Sequence, residues 1–281
     1  ASNSSGFFSD FDYFPGDQEI VVIGDSFVEA MQVPFSDTFH QIVGSQMNQK
    51  VYNFGISGAP LSQYEAYAQE ICNVYKPKKL IITIIENDFD ESLYESRKRN
   101  GFFHYYYSGE LKATPNEISL IRRIVTKSNI VRYLYFHLAL GENLNSFLAG
   151  KEQKKNNISI QEKPSLKKQN INEADAKVRS TNFFLEGMSN LCLEPKNIIF
   201  VVDANRNDDG IYGENIQLEF MNRFSEKARN DGFSVIELRE PMRIEYYEKG
   251  ERFEYLHDSH WNKKGHLLVA NQIILFLQTF K

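Results

Sequence analysis

The sequence predicts an α/β protein, a three-layer α/β/α sandwich built on a five-stranded parallel sheet. Three observations lead there. Residues 80–85 form a near-continuous apolar run, as a strand covered on both faces requires, and crossover helices are what cover both faces of a parallel sheet. Residues 197–202 repeat that signature. Segments of helical period separate the short β runs.

Taken in order, residues 19–23 read as a first strand ending at Gly24, and Phe39, Ile42, Val43 and Met47 give residues 38–47 a helical period. Residues 51–54 make a second strand closed by glycines. A helical pattern over 61–75 follows, and Pro77 terminates it. After the third strand the alternation breaks down, between about residues 90 and 176. That stretch contains an aromatic run at Phe102–Tyr107, a helical pattern over 118–140 and a Lys-rich polar segment over 151–177, read as a solvated insertion. Beyond the fourth strand, 214–228 reads as helix, 233–238 as the fifth strand and 262–280 as a closing helix. The chain is thus expected to be one domain over 1–281 with an insertion at about 90–176. Ligands of such sheets sit beyond the carboxyl ends of the strands.

Composition excludes several function classes. Lys and Arg total 32 against 37 Asp and Glu, a net charge of −5 that is the wrong sign for phosphate-backbone binding. No nucleic acid partner is expected. The longest apolar stretches are short or interrupted, so no transmembrane segment is expected in this chain. The 22 Phe and 15 Tyr can fill a core and also line a pocket for an apolar or sugar ligand. Cys72 and Cys192 show no CxxC spacing, which leaves a single long-range disulfide open. The residues Ala1–Gly6 resemble a cloning or processing remnant, which favours an extracytoplasmic location, periplasmic or secreted.

Four short stretches carry polar residues suited to chemistry. Gly24-Asp25-Ser26 follows the first strand, where a serine can be exposed at the sheet edge near backbone N–H groups, although read alone it is more often a turn or N-cap. Asn53-Phe54-Gly55-Ile56-Ser57-Gly58 follows the second, and its glycines allow either a ligand approach or simply a turn. Ser57 lacks the second glycine of a nucleophile elbow and is read as structural. Glu86-Asn87-Asp88 follows the third strand. There Asn87 can aim an amide at an oxyanion or close an Asx-turn, while Glu86, Asp88 and Asp90 can suggest a divalent metal. Near the C-terminus, Asp258 and His260 stand two apart in a presumed loop, so the carboxylate can orient the imidazole toward a serine. His257, His260 and His266 also invite a zinc reading, but no second ligand cluster supports it. His40, His104 and His137 are read as packing or surface residues.

In this order the four stretches resemble the blocks of the SGNH, or GDSL-type, hydrolase superfamily. The resemblance implies its flavodoxin-like fold and a serine esterase or O-acyltransferase activity without metal or organic cofactor. It implies Ser26 as nucleophile, His260 as base and Asp258 as its partner. The oxyanion hole would comprise the N–H groups of Ser26 and Gly58, with Gly55 as the alternative, and the Asn87 amide. Asp25, Gly55 and Trp261 would support the site. Two departures stand out: Glu86 occupies a position where many members carry Gly, and Asp258 precedes His260 by two residues where many have three. The latter is similar to the Asp-x-His-Trp arrangement of alginate O-acetyltransferase-like relatives. The implied substrate is an O-acyl ester, with carbohydrate O-acetyl groups as one class. The alternatives are transfer of acetyl to a polysaccharide, or a degenerate carbohydrate-binding module using Phe102, Phe103 and Tyr105–Tyr107 as a stacking platform.

Overall fold

A computed structural model describes residues 2–97, 99–114, 173–204, 216–255 and 258–279. The chain divides into two units, residues 1–114 with 171–281, and residues 115–170. The helical pattern over 118–140, most of the Lys-rich segment, His137 and His257 lie outside the described residues.

Five parallel strands form the sheet: β1 (Gln18–Gly24), β2 (Val51–Gly55), β3 (Pro77–Ile84), β6 (Ile198–Val202) and β7 (Ser234–Glu237), in the order β2-β1-β3-β6-β7. Two short antiparallel hairpins flank it, β4 (Phe103–Tyr105) with β5 (Leu111–Ala113) and β8 (Glu254–Tyr255) with β9 (Asp258–Trp261). The helices are α1 (Ser26–Glu29), α2 (Phe39–Met47), α3 (Leu61–Tyr75), α4 (Asp88–Glu91), α5 (Glu173–Ser189), α6 (Ile216–Asn230), α7 (Arg239–Lys249) and α8 (Lys263–Thr279).

The strands are apolar throughout because each is buried on both sides. Val21, Ile23, Leu80, Ile82 and Phe200 enter one core with α3, α5 and α6, while Ile20, Val22, Ile81, Ile199 and Val201 enter a second with α2, α7 and α8. This is the expected three-layer sandwich. In this strand order the chain reverses its winding at β1 and β3, and the crevice at that switch point is where a doubly wound sheet binds ligands. Register sets the two strands level there, with Ile23 opposite Ile82 and Gly24 opposite Gly55 of β2.

The structure adds elements to those expected. Helix α5 runs through the end of the predicted insertion, and α7 occupies a stretch assigned no element from sequence. The aromatic run becomes the β4–β5 hairpin, with Tyr105 buried in the core and its hydroxyl donating to Glu65 at 2.6 Å. Tyr107 is exposed, with the Arg179 guanidinium 3.9 Å above its ring. Asp258 and His260 stand on a strand, β9, where a loop was expected.

Cys72 and Cys192 are joined in a disulfide. The bond ties α3 to the chain just beyond α5 across 120 positions, and closing so long a loop restricts the unfolded chain strongly. Reduction, or the double change Cys72→Ser/Cys192→Ser, is expected to cost about 4 kcal/mol of stability. Calorimetry with and without reductant measures it; a melting temperature unmoved by reductant would show that the bond contributes nothing.

Candidate active site

Ser26 begins α1 directly beyond β1. Asp25 caps this helix by accepting the Phe27 N–H at 2.9 Å, which fixes the backbone that presents Ser26. Gly55 lets α1 settle onto the sheet edge, since a Cβ there would lie 2.2 Å from the Glu29 nitrogen. Ser26 is half-buried.

His260 arrives from the other end of the chain. Along β9, side chains alternate between faces, so Asp258 and His260, two apart, share one face while Trp261 points the opposite way into the core. A spacing of two therefore suits extended backbone, which is why these residues sit in a strand. The strand is held on both sides: β8 pairs Tyr255 with Asp258 and Glu254 with Trp261, and Asn262 caps α8 by accepting the N–H groups of Lys264 and Gly265 at 2.9 and 3.0 Å. Trp261 anchors it further, donating its indole N–H to Asp203 at 2.9 Å and packing edge-on against Phe27.

These elements bring the predicted triad together. His260 Nε2 lies 2.6 Å from Ser26 Oγ, and His260 Nδ1 makes a short hydrogen bond with Asp258 Oδ1, which also accepts the His260 backbone N–H at 3.0 Å. Partial burial works against ionisation of Asp258, but the His260 backbone N–H, ring N–H and ring charge outweigh it and hold the carboxyl below its ordinary value. With Asp258 ionised, Nδ1 carries the proton and Nε2 is free to accept from the serine. The Phe27 ring, 4.9 Å from the imidazole, shields one side of it.

The predicted amide donors leave the sheet at the same edge. Gly58 follows β2 with φ +76°, a conformation that favours glycine, and its N–H finds no acceptor among the described residues. The Gly55 N–H is already donated to Asn53 Oδ1 at 2.8 Å. Asn53 is buried and also donates to the Phe8 carbonyl at 3.1 Å, so its role is to shape this turn. Ser57 bonds through both N–H and hydroxyl to Glu29, in keeping with a structural role. Asn87 precedes α4, is exposed, and makes no side-chain hydrogen bond among the described residues.

The other polar candidates do not converge. Glu86 pairs with Lys177 at 3.1 Å, and Asp88 is buried, accepting from the Tyr64 hydroxyl at 3.0 Å and the Ile85 N–H at 3.1 Å. Among the described residues, no group of three or more His, Cys, Asp and Glu side chains is arranged to hold a metal ion. His40, read as a packing or surface residue, and His266, weighed as a zinc candidate, are both buried within the fold, and burial lowers them to about 3 and about 4. Sequence reasoning missed Phe27 and Asp203; the place of Asp203 at the carboxyl end of the fourth sheet strand was the available signal.

Comparison with known proteins gives the family. A family model described as GDSL-like Lipase/Acylhydrolase matches residues 20–273. The chain belongs to this family. The hydrolase class follows from that membership. No curated protein matches this GDSL-like acylhydrolase. Among solved structures, LAE5, an alpha/beta hydrolase enzyme from the metagenome of Lake Arreo, Spain, is 12% identical, with a TM-score of 0.50 over 96% of this chain and 99% of its own. A lipolytic G-D-S-L family protein from Veillonella parvula DSM 2008 is 11% identical, with a TM-score of 0.47 over 94% of this chain and 98% of its own. A two-domain esterase active on acetylated mannans is 16% identical, with a TM-score of 0.43, and the match spans 94% of this chain but 50% of that one. At these identities the likeness is one of fold.

Burial pushes the Asp25 carboxyl up to about 6, and the Asp203 charge adds to this against the Phe27 N–H and His260. A folded-state value above the unfolded one means the native protein binds the proton more tightly, so this group's stability contribution falls as pH rises from about 4 to about 6. The loss amounts to about 3 kcal/mol above that window. The lowered histidines slope the opposite way, so a difference measurement isolates Asp25. The melting temperature of Asp25→Asn minus that of wild type should climb between pH 4 and pH 7; a constant difference would contradict the raised value.

Proposed function

We propose that this GDSL-like acylhydrolase cleaves O-acyl esters through a covalent acyl-enzyme on Ser26. The observation that carries the reading is the continuous contact from Ser26 Oγ through the His260 ring to Asp258. A neutral serine is a poor nucleophile, so His260 Nε2 takes its proton as Oγ attacks the ester carbonyl, and Asp258 stabilises the imidazolium that results. The tetrahedral oxyanion is received by the N–H groups of Ser26 and Gly58 and by the Asn87 amide. The unoccupied Gly58 N–H and Asn87 side chain support these assignments, whereas the Gly55 N–H is already engaged. His260 then donates its proton to the leaving alcohol, and water attacks the acyl-enzyme by the reverse route. Asp25 and Trp261 are positioning residues, the first through the α1 cap and the second through β9.

Acetyl groups on carbohydrate are the substrate class we favour. Transfer of acetyl to a second sugar hydroxyl in place of water is the other reading, favoured by the Asp258-Ser259-His260-Trp261 spacing. A degenerate binding module is disfavoured by the intact contact at Ser26. The Cys72–Cys192 disulfide supports an oxidising, extracytoplasmic setting.

Hydrolysis of p-nitrophenyl acetate tests the mechanism. Ser26→Ala and His260→Ala should each lower kcat by about 10³-fold or more, and Asn87→Ala by about 10²-fold. Wild-type rates in Ser26→Ala would rule the mechanism out. A fluorophosphonate probe should label wild type at Ser26, and an unlabelled serine would favour the binding module. Acetylated oligosaccharide with and without an acceptor glycan separates hydrolysis from transfer.

A further inference from the structure

Gly58 is the weak point of the proposed oxyanion hole, because glycine lets the peptide planes on either side rotate freely and an amide donor must be held still. The loop on its N-terminal side is fixed by Ser57, which bonds Glu29. On the other side, the Ala59 N–H donates to the Ile56 carbonyl at 3.0 Å, and the Gly58 carbonyl accepts from Arg99 Nη1 at 2.9 Å.

Arg99 belongs to the segment between α4 and β4, outside the four motif stretches. Its second guanidinium nitrogen, Nη2, donates to Glu91 Oε1 at 2.6 Å. Glu91 ends α4, the helix preceded by Asn87, and its side chain is almost fully buried. One planar fork thus ties the loop of Gly58 to the helix beside Asn87, and so ties together the two proposed donors that flank β1. The arginine is itself held: its backbone N–H donates to His104 Nε2 at 3.0 Å, and its carbonyl accepts from the Thr114 hydroxyl at 2.7 Å. A Cβ on Gly58 would come within 2.3 Å of Arg99 Nη1. The φ of residue 58 thus favours glycine, and a side chain there would push the guanidinium off the Gly58 carbonyl.

We infer that Arg99 is a positioning residue for the oxyanion hole, held through its backbone by His104 and Thr114 and acting through the Gly58 carbonyl. The inference rests on the assignment of Gly58 as an oxyanion donor. It predicts a transition-state effect, since a misaligned donor is felt when the oxyanion forms and little when substrate binds.

The test compares wild type with Arg99→Met, Arg99→Lys and Arg97→Met. Arg97 also pairs with Glu91, at 3.0 Å, but its side chain is 57% exposed and makes no bond to Gly58, so Arg97→Met removes a charge and one ion pair to Glu91 while leaving the Arg99 fork in place. For p-nitrophenyl acetate, Arg99→Met should lower kcat about 10- to 100-fold with KM within threefold, and slow fluorophosphonate labelling of Ser26 in parallel. Lysine keeps the charge but not the two-pronged reach, so Arg99→Lys should recover less than half of the lost rate, while Arg97→Met stays within twofold of wild type. Melting curves check folding, and if Arg99→Met does not fold, Arg99→Lys decides. Wild-type kcat and labelling in the folded Arg99 variant, or an equal loss in Arg97→Met, overturns the inference alone. A wild type whose Ser26 is not labelled overturns the underlying mechanism and the inference with it.

Discussion

The contact between Ser26 Oγ and His260 Nε2, 2.6 Å long, joins groups 234 positions apart, and much of the fold can be understood as the means of making it. A side-chain hydrogen bond over such a separation has no local support. Its geometry is inherited from the sheet, which sets the end of β1, and from Trp261, which sets the end of β9. Packing between Phe27 and Trp261 makes these two ends one structural unit, since the rings directly follow Ser26 and His260. The alternation of a strand then turns burial of one residue into presentation of its neighbour.

Beneath this surface the molecule buries charge. Asp25 and Asp88 lie in the interior, both raised chiefly by burial, and the Asp25 charge raises Asp88 further. Tyr64 is drawn into the same group and pushed well above its ordinary value by burial and by Asp88. Apolar side chains of similar volume would be expected to make a more stable core here. Both carboxyls do local work that such residues cannot: Asp25 caps α1, and Asp88 gathers the Ile85 N–H where β3 gives way to α4. The ends of β1 and β3 are shaped by groups that cost stability.

How much of this could be read from sequence follows from burial. The sheet strands were legible because covering both faces leaves unbroken apolar runs, and α2, α3 and α8 because their buried stripes are mostly hydrophobic. Helix α5 was not, since it begins inside the Lys-rich polar stretch that reads as a solvated insertion. In α7 Met242 alone is buried, so there was almost no stripe to see. Ser26, Asn87, Asp258 and His260 were legible through the order of their motifs. Asp203 and Arg99 were not, because their partners, Trp261 for the one and Gly58 and Glu91 for the other, meet them only in the folded chain.

The disulfide has a topological consequence. Cys72 lies before the 115–170 unit and Cys192 after it, so a peptide bond cut anywhere within that unit leaves the two fragments covalently linked. Ser26 would stay on one fragment and His260 on the other, still parts of one molecule. The bridge thus makes continuity of the backbone through that unit dispensable for keeping Ser26 and His260 in one molecule.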